Sequence, residues 1–115
     1  MNRYINAFFW CFIVYLFASI PTAVKSEMLM SEKIEELLRK GSCWGCHDTD
    51  EIRVGPSYRS ISSKYKNANN QQIRILMEKV RYGGAGNWGV VPMVPISQLS
   101  SEELNDLVEW ILVQQ

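Results

Sequence analysis

Apolar residues recur at helical spacing in four stretches of this chain, and nowhere do they alternate with polar ones long enough to predict a strand. Over 26–41, "SEMLMSEKIEELLRKG", Met30, Ile34, Leu37 and Leu38 fall on one stripe and Gly41 supplies a C-terminal stop. Over 57–65, Tyr58, Ile61 and Tyr65 share a face. Over 69–84, Ile73, Leu76, Met77 and Val80 form the stripe, with Asn69 or Asn70 to cap its start and Gly83 to end it. Over 100–115, Ser100 and Glu103 stand in capping-box spacing ahead of Leu104, Leu107, Val108 and Ile111. Between the last two helices lies "GGAGNWGVVPMVPISQ", whose glycines and prolines exclude a continuous helix. Its tryptophan, valines and methionine are a poor composition for disorder, so it reads as a long, stiffened, functional loop. The predicted fold class is all-α, with four to five short helices.

The N-terminus departs from this pattern. "MNR" is a short positive start and "AFFWCFIVYLFASI" an uncharged apolar run of signal-peptide length. Small residues follow in "PTAVKS", with Val24 and Ser26 best placed for cleavage before Glu27. The expectation is an export segment at 1–26 and a domain at 27–115. An uncleaved anchor is the competing reading, weakened by Asn6 and Pro21 within the stretch. Either way the domain lies outside the cytoplasm, and Cys11, inside the exported segment, is a bystander. The chain of 115 residues accommodates one domain. Its 12 basic residues balance 12 acidic ones, so nothing points to nucleic acid or an anionic membrane surface. A domain this small has a thin core and needs a staple, a metal or a cofactor.

The stretch "GSCWGCHDTD" holds Cys43, Cys46 and the single histidine, His47. A thioredoxin-like dithiol requires a βαβ context that this pattern lacks. Zinc requires about four ligands, and these three residues have no second cluster to complete them. Haem attachment accounts for all three together. Cysteines three apart leave one face of a helical turn and reach the two vinyl groups of a porphyrin, and the histidine on the same face binds the iron.

With no second histidine, the opposite side of the iron falls to another residue type. Met30 and Met77 lie on apolar helix stripes and read as core, while Met28 sits close to the new N-terminus. Met93 stands in "VPMVP" between Pro92 and Pro95, which stiffen the backbone and can hold a thioether over iron. Met93 is the expected second axial ligand.

Taken in order, "EELLRKGSCWGCH", "VGPSY", "GNWGVVPM" and "EELNDLVEWILVQQ" resemble the small monohaem class I cytochromes c of bacteria, the short-chain donors to nitrite reductases or terminal oxidases. The resemblance covers nearly all of 27–115 and implies the cytochrome c fold around one haem c. It also implies roles for Pro56, whose carbonyl accepts a hydrogen bond from the ligand histidine, for Trp88, whose indole binds a haem propionate, and for Lys79, which serves the same carboxylate. Family members often carry an asparagine shortly after the methionine, donating to its sulfur. Here Ile96, Ser97 and Gln98 follow, so that contact is missing or supplied by Ser97 or Gln98, and the loop is one residue longer.

The expected function is a periplasmic one-electron carrier, monomeric and not an enzyme, because a filled sixth position keeps substrates off the iron. Its partners are redox proteins: a reductase, oxidase or dehydrogenase. The rivals are a cytochrome subunit docked permanently on a dehydrogenase, and a haem sensor or peroxidase with a labile sixth ligand. Trp44, Ile52, Val90, Val91, Val94 and Pro95 are expected to ring the exposed haem edge, with Arg53 and Lys64 as a charged rim.

Overall fold

The computed structural model describes residues 21–115, so almost all of the expected export segment lies outside the described residues. The chain divides into two compact units at Lys33. Within the first, the described residues enter helix α1, Thr22–Lys40, at Thr22, and Val24, Met28, Leu29 and Met30 are exposed. Met30 therefore leaves the apolar stripe expected of it. No helix among the described residues is long and apolar enough to cross a membrane.

The second unit, Lys33–Gln115, holds the rest of α1, a 3-10 turn at Cys43–Gly45, helices α2 (Tyr58–Lys64), α3 (Asn70–Tyr82) and α4 (Ser101–Leu112), and a hairpin of β1 (Gly84–Gly86) and β2 (Gly89–Met93). Ile34, Leu37 and Leu38 come round to one face of α1 and are buried, as the helical period requires. Arg39 and Lys40 occupy its last turn, where cations complement the carbonyl end. The left-handed residue after this helix is Ser42 (φ 53°), not the glycine. Gly41 is required for another reason: a Cβ there would sit 2.9 Å from the Cys43 sulfur and 3.3 Å from the Leu37 carbonyl.

Helix α2 is capped by the Ser57 hydroxyl, which accepts from the Ser60 amide. Its buried Ser62 donates to the Leu112 carbonyl at 2.7 Å, tying α2 to the end of α4. Helix α3 starts at Asn69 with a complete capping box to Gln72, and α4 starts at Ser100 with one to Glu103. Leu104, Leu107, Val108 and Ile111 on α4 are buried as the period predicts. Leu104, Leu107 and Ile111 meet Ile34, Leu37 and Leu38 of α1, together with Tyr58, Ile96 and Leu99, in one core. Each fully buried leucine contributes roughly 1.5–3 kcal/mol, which makes this cluster the main source of stability in the unit. Ion pairs Lys33–Asp106 and Lys40–Glu103 join the same two helices at the surface.

The hairpin corrects the strand-free expectation. Gly84 pairs with Met93 and Gly86 with Gly89, antiparallel, with an irregularity between the two pairs. Gly84, Gly86 and Gly89 all have φ near +105° (102°, 109° and 109°), a region closed to most side chains. Such strands form through glycine backbone geometry and are almost wholly exposed, so alternation never marked them.

Candidate functional site

The turn at Cys43–Gly45 starts where α1 stops. The amides of Cys46 and His47 both bond the Cys43 carbonyl, at 3.1 and 2.9 Å, which gathers the two thiols and the imidazole onto one compact turn. The three side chains line a cavity of about 460 Å³. The same cavity is lined by Met93, the last residue of β2. Leu76 and Val80 of α3 and Leu107, Val108 and Ile111 of α4 form apolar wall, and the hairpin from Gly84 to Trp88 supplies another side. The volume lies in the range of small-molecule and cofactor sites, whose lining is mostly apolar with a few convergent polar groups.

His47 is held on its far side. Its Nδ1 lies 2.7 Å from the Pro56 carbonyl, and that carbonyl can only accept, so Nδ1 carries the proton and Nε2 is left with a lone pair. The Gly55 amide bonds the Cys46 carbonyl at 2.8 Å, locking the "VGPSY" segment to the cysteine turn. A Cβ on Gly55 would come within 2.5 Å of His47 Cε1, so glycine is the residue that lets this backbone pass behind the ring. Gly55 was missed in the sequence; the signal was its place directly before Pro56.

The four methionines of the expected domain at 27–115 separate cleanly. Met77 packs on the core from α3 without lining the cavity, Met28 and Met30 are exposed, and Met93 is half-buried in the cavity wall. Gln98 does not turn toward it: its Nε2 donates to the Lys40 carbonyl at 2.9 Å, closing the end of α1, and Ser97 is exposed. Gly83 lets the two backbones of the hairpin meet, since a Cβ there would lie 2.3 Å from the Met93 carbonyl oxygen.

Trp88 and Lys79 both line the cavity. Trp88, 44 % exposed, sits at the hairpin tip beneath Lys64, whose Nζ is 4.3 Å from the ring centroid. Lys64 also donates to the Asn87 carbonyl at 2.7 Å, and Lys79 reaches the Ala85 carbonyl at 3.4 Å. Lys64 thus clasps the tip rather than standing free on a rim. Arg53 pairs with Asp48 at 2.8 Å. Asp48 itself is held below the usual carboxylate range, first by the Asp50 amide that it accepts. Trp44, Ile52, Val90, Val91, Val94 and Pro95 are all exposed, Val90 at 91 %, and Val54 joins them.

Burial pushes the Cys43 thiol up, so the site holds a neutral sulfur together with an imidazole and a thioether. This donor set is soft, and it opens on an apolar cavity: the chemistry of a haem crevice rather than of a hydrolytic centre. The family model for cytochrome c matches residues 31–115. The chain belongs to the cytochrome c family. It is 41 % identical over 76 residues to cytochrome c-551 of Allochromatium vinosum, covering 66 % of this chain and 80 % of that one. It is 39 % identical over 82 residues to cytochrome c-551 of Azotobacter vinelandii, covering 70 % of this chain and 96 % of the relative. Among solved structures, wild-type cytochrome c552 of Nitrosomonas europaea superposes with a TM-score of 0.65 at 31 % identity, over 70 % of this chain and 99 % of its own. The fold is the cytochrome c fold, the cofactor is covalently bound haem c with its iron, and the chain is a c-type haem electron carrier.

Proposed function

We propose that this cytochrome is a monomeric, periplasmic one-electron carrier between respiratory redox proteins. Residues 1–26 serve as its export segment and 27–115 as its working domain. The observation that supports the reading is that His47, Met93 and both cysteines all line one largely apolar cavity. In this reading Cys43 and Cys46 would attach the haem, and His47 Nε2 and the Met93 sulfur would hold its iron. When bound, the haem supplies the Fe(III)/Fe(II) couple.

The chain's own residues do the rest. Pro56 accepts from Nδ1, which fixes the ring's orientation and makes Nε2 a better donor. The Met93 thioether is uncharged and soft, which favours the ferrous state and raises the potential relative to two nitrogen ligands. Leu76, Val80, Leu107 and Ile111 exclude water from the cavity floor and keep reorganisation on electron transfer small. Trp88 and Lys79 stand at the hairpin side of the cavity, where an indole N–H and an ammonium serve the haem carboxylates. The exposed group around Trp44, Ile52, Val91 and Val94 offers the small apolar contact area that short-lived redox complexes use. Neither the sensor nor the permanent-subunit reading has a specific feature in its favour.

The test is the optical spectrum and carbon monoxide reactivity of the holoprotein and its Met93→Ala variant. The wild type is expected to show the weak sulfur-to-iron charge-transfer band and to bind carbon monoxide slowly when reduced. The variant is expected to lose the band and bind the gas at once. Persistence of the band in Met93→Ala would sink the assignment.

A further inference from the structure

Tyr58 opens α2 just after the Pro56 carbonyl that holds His47, and it is only 2 % exposed. Three rings enclose it. The His47 imidazole stacks on it with centroids 5.7 Å apart and planes 18° from parallel. Trp44 and Trp110 meet it edge-on, at 5.7 and 5.3 Å. A phenyl ring would satisfy all of this packing, so the hydroxyl is what requires a reason. It is buried in the wall of the haem cavity, beside the Cys43 sulfur, and has no well-formed hydrogen bond to any described residue. A buried hydroxyl without a partner is costly, and the enclosing rings leave this one no way to solvent.

We propose that the Tyr58 hydroxyl donates a hydrogen bond to the sulfur of Cys43 once that sulfur is a haem thioether, making Tyr58 a positioning residue that also tunes the potential. The inference rests on the reading of Cys43 as an attachment point. A free thiol both donates and accepts weakly, whereas a thioether sulfur only accepts. Attachment therefore turns the neighbour of this hydroxyl into a pure acceptor, to which the phenol O–H can donate. The proton stays on the phenol oxygen throughout, and no bond is made or broken. A hydrogen bond donated to the attached sulfur would draw electron density from it and so favour the form that carries the extra electron. Tyr58 therefore raises the midpoint potential and fixes the thioether's rotamer.

The experiment uses the holoprotein. In the reduced, diamagnetic state, proton NMR is expected to show a slowly exchanging Tyr58 hydroxyl resonance with cross-peaks to the Cys43 β-protons. Tyr58→Phe is expected to lower the midpoint potential while leaving the His47 and Met93 signals in place. In a Cys43→Ala background the same substitution is expected to change the potential no further, because the acceptor is gone. A rapidly exchanging hydroxyl, cross-peaks to a different acceptor, or an equal drop in both backgrounds would overturn the proposal. If Cys43→Ala fails to mature, the wild-type resonance and the Tyr58→Phe potential decide it by themselves. Alkylation of Cys43 in the purified wild type would overturn the attachment reading and this one together. An attached Cys43 without the hydrogen bond would overturn this one alone.

Discussion

Helices α1 and α4 differ from α3 and the hairpin in how they are buried, although all carry apolar residues. On the α1–α4 side Leu37, Leu38, Leu104 and Leu107 are almost completely covered by protein. On α3 the stripe of Ile73, Leu76, Met77 and Val80 is equally regular, yet no residue of that helix is fully buried. Part of the stripe faces the haem cavity instead of protein. The hairpin is held by glycine geometry and by Lys64 at its tip, with little apolar contact of its own. One region is a protein core; the other is half of a core that opens on a cavity, which the haem would fill in the proposed reading.

The harshest way to break this comparison is to remove the haem anchorage. A Cys43→Ala/Cys46→Ala chain, made without haem, is expected to lose amide-exchange protection throughout α3 and the hairpin, with the residual protection confined to α1 and α4. Equal protection in α3 would show that its stripe is covered without the cofactor. A gentler comparison uses the holoprotein and denaturant unfolding. Leu104→Ala, in the protein core, is expected to cost about 2–5 kcal/mol. Leu76→Ala, half-buried at the cavity, is expected to cost less than half as much while shifting the haem absorption spectrum. Matching costs and an unmoved spectrum would erase the distinction. The smallest effect concerns acid. The Glu103 carboxyl is held below its ordinary range, first by its hydrogen bond with Lys40 and then by the Ser100 amide. A carboxylate lowered in the folded state contributes stability above its unfolded pKa and loses it as pH falls through the folded value. Glu103→Gln is therefore expected to lower stability slightly at neutral pH and to converge on the wild type in acid, as pH falls through the lowered folded value. Because this carboxylate is exposed, a large difference at neutral pH would mean that the α1–α4 junction depends on charge more than on packing.

Much of this was legible beforehand, and what was not has common causes. Helical period identified α1, α3 and α4 because one buried face imposes it, and Ser100 with Glu103 marked a start because orphan amides require acceptors. The cysteine pair and His47 were legible because attachment demands fixed spacing over one turn. The hairpin was not, since glycine strands leave no side-chain pattern. Met30 followed the same period as Ile34 and yet is exposed, because period states which residues share a face and not what covers it. Gln98 was a candidate donor to the Met93 sulfur by position, but a free carbonyl at Lys40 lies within its reach. Tyr58 read as an ordinary helix-face residue, and only its neighbours make the hydroxyl notable.

Local chemistry is thus what the amino-acid order determined: where helices run, where they are capped, and which three residues can seize a porphyrin from one side. Tertiary structure decided what faces what. It brought Met93 to the same cavity as His47, put Pro56 and Gly55 behind the imidazole, and left part of the α3 stripe facing a space. The physical reason is range. Backbone hydrogen bonds and periodicity act over a few residues, while the gathering of Cys43, His47 and Met93 on one cavity depends on how far-apart segments close around a shared volume.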